Sequence, residues 1–170
     1  GLALIPLVLV FGYYLYAAKD SPDQPAPKPL TAYAGVLKEA DAWWFMLFYF
    51  VTFGGFVGLS SSLPTFYTDS FGVTTVIAGY CTAAAVFMGS LLRPVGGALA
   101  DRFGGIRTLT VVYVVAAVLL GAIAMVSTSG LALAVALFVA VVGTLGVGNG
   151  AVFQLVPQRF RKEIGVMTGL

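Results

Sequence analysis

The sequence predicts an all-α, multi-pass membrane protein, and three observations carry that reading. Of the 170 residues, 59% are hydrophobic and 9% charged, against roughly 45–50% and about 25% in a soluble domain, so charge is too scarce to cover a water-facing surface. Apolar runs of about 20 residues recur, the length that crosses a hydrocarbon core roughly 30 Å thick at about 1.5 Å per residue. Basic residues fall on alternate connectors between those runs, as the orientation of a polytopic chain requires. Stretches such as VVYVVAAVLLGAIAMV show no alternation, which excludes a lipid-facing barrel and leaves helices.

The first run, Leu2–Ala18, is followed by the long polar connector Lys19–Asp41, whose SPDQPAPKP stretch reads as extended and solvated. Trp43 and Trp44, at the start of the run Ala42–Leu63, suit an interfacial aromatic belt. Val73–Ala100, Thr108–Ser127 and Gly130–Val156 complete five spans, and a stub opens near Ile164. Gly1 stands inside an apolar run and IGVMTGL opens another, so the chain reads as an excerpt, its first run a truncated span with no assignable signal peptide. The expected organisation is a transmembrane helix at 1–18, a polar loop at 19–41 and a group of further spans at 42–170.

Lys19, Lys28 and Lys38 lie on the first connector, Arg102 and Arg107 on the third, and Arg159, Arg161 and Lys162 on the fifth. The positive-inside rule then makes the connectors 19–41, 101–107 and 158–163 cytoplasmic, in a multi-pass membrane protein. The net charge of +2 is too small for a nucleic-acid surface. With no His and the single Cys81, His-ligated metals, Ser-His-Asp and Cys-His catalysis, zinc ribbons and an intrachain disulfide are excluded. No nucleophile and base pair is visible, and the expectation is a non-enzyme without cofactor or metal.

The ninth basic residue, Arg93, falls inside a span. It lies eight residues before Asp101, about 12 Å from the helix end and close to mid-membrane. An arginine there costs on the order of 2.5–3.5 kcal/mol and keeps its proton, so it must face a polar cavity or a partner. It could pair with a carboxylate elsewhere in the protein or with a carbonyl freed by Pro94. Alternatively it binds an anion, for which the planar guanidinium fork is suited. Tyr49, eight residues after Asp41, and Asn149, ten before Arg159, fall at about 12 and 15 Å by the same count. Phe53 follows Tyr49 by one turn on the same face. Gly54, Gly55, Gly146, Gly148 and Gly150 read as close-packing positions or as lining of a substrate path.

Gly97-Ala-Leu-Ala-Asp101-Arg102-Phe-Gly104-Gly-Ile-Arg107 resembles the loop signature of the major facilitator superfamily, GxxxDRxG followed by a basic residue. The family's usual basic residue directly after the second glycine is replaced by Gly105, leaving Arg107 as the basic group. The segments YFVTFGGFVGLSSSLP, LLRPVGGALADRFGG and GVGNGAVFQLVPQRFRKEIG narrow the resemblance to the nitrate/nitrite porters. It implies a partial major facilitator fold, with these spans as the sixth to tenth helices, the stub as the start of the eleventh, 19–41 as the central loop and 42–170 as an incomplete C-terminal bundle. It further implies that Arg93 binds substrate and that Tyr49 and Phe53 hydrogen-bond and stack on the anion. Gly97, Asp101, Arg102, Gly104 and Arg107 would form a conformational gate, and a second arginine would come from an N-terminal half outside this chain.

The function expected is alternating-access transport of nitrate and/or nitrite, by exchange or co-transport, in the service of nitrate assimilation. The partners are a small inorganic anion and the bilayer. The rival readings are a major facilitator for another small anion such as a carboxylate, and a membrane sensor or assembly subunit that binds without transporting.

Overall fold

The computed structural model describes residues 4–18, 35, 37–126 and 130–159. Two units are distinguished, Gly1–Ala32 and Tyr33–Leu170. In the first, α1 (Leu4–Ala17) is a 14-residue helix, apolar all round and without a charged residue. The polar connector from Lys19 to Ala34 lies outside the described residues, as do the stub and the basic residues Arg161 and Lys162.

The second unit has four passes long and apolar enough to cross a membrane: Ala40–Phe71, Thr75–Phe103, Gly105–Met125 and Leu131–Arg159. The first comprises α2 (Ala40–Tyr49), a π-helical turn π1 (Phe50–Gly54) and α3 (Gly55–Phe71). This pass runs eight residues beyond the predicted end at Leu63, through Pro64 to Phe71. Hydropathy falls in SSSLP, yet the backbone stays helical. Ser60 donates to the Phe56 carbonyl at 2.6 Å, while Ser61 and Ser62 donate to Gly58 at 3.0 and 2.9 Å. Hydroxyls folded back on their own helix in this way let a polar stretch and a proline remain in a membrane pass. The helix stops at Gly72, whose φ of 63° is left-handed and whose N–H reaches the Thr68 carbonyl at 3.0 Å.

The next pass starts with Thr74 as N-cap, accepting from the Ile77 N–H at 3.4 Å. It is interrupted where the sequence suggested continuity. α4 (Thr75–Leu91) ends, Leu92 sits at φ −83° and ψ −5°, and α5 (Arg93–Phe103) begins with Pro94 in its first turn. Proline has no N–H for the carbonyl four residues back, so the chain breaks at the proline and restarts. From Arg93 to Asp101 the helix is unbroken, and the depth count of about 12 Å stands.

The connector expected at 101–107 is a second correction. Asp101, Arg102 and Phe103 close α5, Gly105 to Arg107 open α6 (Gly105–Val126), and Gly104 alone is non-helical. Gly104 adopts φ 90° and ψ 136°, a region in which a side chain is strained. The fourth pass, α7 (Leu131–Arg159), runs through Pro157, so Gln158 and Arg159 are helical and not loop.

The centre of the bundle is α7, which packs along α4, α5 and α6 and meets α3 and π1. Lipid tails are as apolar as leucine, so helix association in a membrane depends on close contact more than on removal from water. Glycines supply that closeness. A Cβ on Gly146 would lie 2.0 Å from the Gly89 carbonyl oxygen, and one on Gly150 would lie 1.9 Å from that of Arg93. From the facing helix, a Cβ on Gly96 would lie 1.9 Å from the Val147 oxygen. Two apolar clusters result. One gathers Phe56, Leu63, Tyr67, Phe138, Val141 and Leu145, and the other gathers Ala100, Leu109, Ala151 and Val152 near the Asp101 end.

Candidate anion site

The site forms at the π1 turn and the α4–α5 break, the two irregularities of the first two passes. In a π turn the N–H reaches the carbonyl five residues back instead of four, and such turns often mark functional sites. Tyr49, the last residue of α2, and Phe53, within π1, stack at 5.1 Å between centroids and 11° between planes. Phe56 continues the column at 6.5 Å and 10° from Phe53. Phe153 of α7 meets the Tyr49 ring edge-on at 5.4 Å and 85°.

Arg93 enters this column from the start of α5. Its guanidinium carbon is 5.6 Å from the Phe53 centroid and 5.1 Å from that of Phe56, within cation–π range of both. Its Nε is buried and has no hydrogen-bond partner. The one ion pair among the described residues is Arg159 to Asp41, so no carboxylate neutralises Arg93 there. Pro94 frees a carbonyl nearby, but no hydrogen bond from Arg93 to it is formed. The guanidinium is thus held against aromatic rings, with Nε left without an acceptor.

Asn149 is 1% exposed, with both Oδ1 and Nδ2 unpartnered. Its direction follows from its neighbours on α7. Leu145, one turn before it, is the residue a Cβ on Gly55 would meet at 3.3 Å, and Phe153, one turn after it, touches Tyr49. Residues 145, 149 and 153 share a stripe, so Asn149 lies on the face of α7 turned to the segment 49–55. A buried amide with neither end paired costs about 1–3 kcal/mol or more, and in native structures such a group calls for an explanation.

Arg93, Tyr49 and Phe53 are therefore brought together, with Asn149 on the neighbouring face. Phe56 and Phe153 belong to the same cluster and were missed by the sequence reading. Each was within reach of it, since Phe56 continues the 49, 53 spacing and Phe153 is four residues after Asn149. Of the five glycines singled out around the site, Gly146 and Gly150 face carbonyl oxygens of the α4–α5 pass and Gly55 faces Leu145. Gly148 lies under Thr52 and Val112, each 2.8 Å from a built Cβ, and Gly54 meets only its own Phe50 ring.

The Gly97–Arg107 segment lies at the far end of α5. A Cβ on Gly97 would be 3.9 Å from the Gly150 oxygen, and Asp101 accepts a hydrogen bond from Gln154 Nε2. The Arg102 guanidinium carbon lies 5.3 Å from the Phe103 ring centroid, and Arg107 is exposed in the first turn of α6. Gly105 is pressed against Leu155, whose side chain a Cβ would meet at 2.3 Å. That contact accounts for glycine where the superfamily signature usually has a basic residue. At the same end Arg159 Nε donates to Asp41 Oδ2 at 2.5 Å, which ties together two of the three reference points of the depth count.

Comparison with known proteins agrees with this architecture. The family model described as Major Facilitator Superfamily matches residues 1–170. A nitrite extrusion protein of Bacillus subtilis is 43% identical over 129 residues, covering 75% of this chain and 32% of that protein. A probable nitrate/nitrite antiporter, NarK1 of Thermus thermophilus, is 34% identical over 183 residues, covering 96% and 41%. A probable nitrate transporter, NarT of Staphylococcus epidermidis, is 30% identical over 165 residues, covering 96% and 42%. The chain thus spans about a third to two fifths of the length of these relatives. With helical membrane-length passes among the described residues and the glycine-rich Asp101-Arg102 turn, the chain belongs to the Major Facilitator Superfamily.

Proposed function

We propose that the full-length protein carries nitrate and/or nitrite across a bacterial-type inner membrane by alternating access, with the anion bound at Arg93. The observation that carries this reading is the Arg93 guanidinium, set against the Phe53 and Phe56 rings, with a buried Nε that has no acceptor. A small planar oxyanion completes that arrangement: two of its oxygens accept from the guanidinium fork in its plane, while a ring lies against its flat face. Tyr49 supplies a hydroxyl donor and Asn149 an amide donor on the neighbouring stripe. The names of the relatives, a nitrite extrusion protein and a probable nitrate/nitrite antiporter, favour nitrate and nitrite over a carboxylate.

Charge makes occupancy matter to the transport cycle. An uncompensated guanidinium in a low-dielectric interior opposes closure around it, and a bound monoanion removes that opposition. Movement is then easier loaded than empty, which favours exchange or co-transport over free return. Asp41, Asp101 and Arg159 mark the end assigned to the cytoplasm.

The test is thermal stabilisation of the purified full-length protein by nitrate, nitrite and a small carboxylate, in wild type and Arg93→Lys. Lysine keeps the charge and loses the fork. At a nitrate concentration of about 100 Kd the wild type gains about 2.7 kcal/mol; the variant is expected to lose at least tenfold in affinity. Stabilisation of both proteins by the carboxylate, with none from nitrate or nitrite, would leave the family intact and remove the substrate.

A further inference from the structure

We propose that Tyr113 and Thr52 are positioning residues that hold the π1 turn open and thereby keep Tyr49 and Phe53 aligned with Arg93. This rests on the anion-site reading above, but its geometry is separate from any ligand. At the entry to π1, the Phe48 carbonyl oxygen accepts from two side chains: Thr52 Oγ1 at 2.9 Å and Tyr113 Oη at 3.1 Å. Thr52 Oγ1 also lies 3.2 Å from the Tyr49 carbonyl oxygen. One hydroxyl comes from within the turn and the other from α6, 65 residues away.

The surroundings fix both donors. Thr52 is fully buried, and Gly148 of α7 leaves its Cγ2 so little room that a Cβ there would come within 2.8 Å. The Tyr113 ring packs on Phe48 at 6.0 Å and 42°. Backbone carbonyls that a widened turn leaves short of partners are satisfied by such side chains, as at other irregularities in membrane helices. The consequence reaches the site because a π turn holds one residue more than an α turn. Relaxing it to α geometry rotates one side of the pass against the other by about 100°. Tyr49 lies on one side of that turn and Phe56 on the other, so relaxation breaks the ring column against which Arg93 is held.

The test uses full-length protein in which Cys81 and any cysteine outside this chain are replaced by Ala. Nitrate affinity and transport KM are measured for Tyr113→Phe, which keeps the ring and loses the hydroxyl, for Thr52→Val, and for Thr52→Ser, which restores the hydroxyl. A second, ligand-free readout is the rate of oxidative cross-linking between Tyr49→Cys and Phe153→Cys, with and without Tyr113→Phe. The expected result is a five- to tenfold rise in KM in Tyr113→Phe and Thr52→Val, with kcat changed less than twofold. Thr52→Ser should stay near the parent, and cross-linking should slow at least fivefold on adding Tyr113→Phe. A lesion that merely lost folded protein would lower the maximal rate and leave KM alone. Slowed cross-linking in a protein that never responds to nitrate would overturn the substrate and keep the positioning role. Unchanged cross-linking in Tyr113→Phe overturns the positioning role, whatever nitrate does.

Discussion

At Arg93 the energetics turn on what the guanidinium lacks. Placing an arginine at mid-span costs about 2.5–3.5 kcal/mol, and contact with aromatic rings at this half-buried position returns about 1–2 kcal/mol. The remaining shortfall, about 0.5–2.5 kcal/mol, lies within reach of one charge-assisted hydrogen bond, about 1.5–3 kcal/mol, and Nε still has none. Phe56 is the nearer of the two rings, so Phe56→Ala should weaken nitrate binding about tenfold, read by titrating the thermal shift. Asn149→Asp probes the other wall with almost no change in shape. An aspartate there removes an amide donor and, when ionised, repels the bound anion, so affinity should fall at least tenfold. A loss under threefold would place Asn149 outside the site. Arg93, Tyr49 and Asn149 were legible in the sequence because depth along a helix needs only residue counting from a charged end. Thr52 and Tyr113 were not, because their roles depend on a backbone irregularity and on a contact between helices that no local pattern announces.

Individual elements carry the crossing of α7 with the α4–α5 pass, where carbonyl oxygens occupy the space of a side chain. Gly146→Ala and Gly150→Ala each place a methyl about 2 Å from backbone oxygen, and backbone cannot swing aside as a side-chain tip can. Each should lower Tm by several degrees, overpacking of this kind costing typically 1–3 kcal/mol. Gly58→Ala, with nothing within 4 Å of the built Cβ, serves as the control and should leave Tm within about a degree. The two crossings differ in what they hold. Gly146 rests on Gly89, but Gly150 rests on the carbonyl of Arg93, so Gly150→Ala should also weaken anion binding, whereas Gly146→Ala should reduce stability alone. Hydropathy located the passes of the second unit in order, since it measures the side-chain environment. It misjudged their ends at Ser60–Pro64 and Asp101–Arg107, because a helix continues wherever its carbonyls find donors, whatever the polarity of the side chains outside.

Across the second unit as a whole, the hydrogen bonds between side chains of different passes gather at one end among the described residues. Arg159 binds Asp41 and Gln154 binds Asp101, joining α7 to α2 and α5. The opposite end is closed by aromatic contacts, with the Phe66 ring 5.2 Å from Phe138 and 6.0 Å from Phe71. The Asp41–Arg159 pair is exposed, at 43% and 61%, and such pairs contribute about 0–1 kcal/mol, so it orients the helix ends more than it stabilises them. The same end carries Arg102, Arg107 and Arg159, and a membrane retains basic connectors on its cytoplasmic side. Orientation is therefore open to a direct check in whole cells. Ser70 and Arg102 are both exposed and lie at opposite ends of the bundle. With Cys81 and any cysteine outside this chain replaced by Ala, Ser70→Cys should react with a membrane-impermeant maleimide added outside, and Arg102→Cys should react only after the membrane is permeabilised. The reverse pattern would mean that the charged end faces outward, and the basic residues would then need a partner other than the cytoplasmic leaflet.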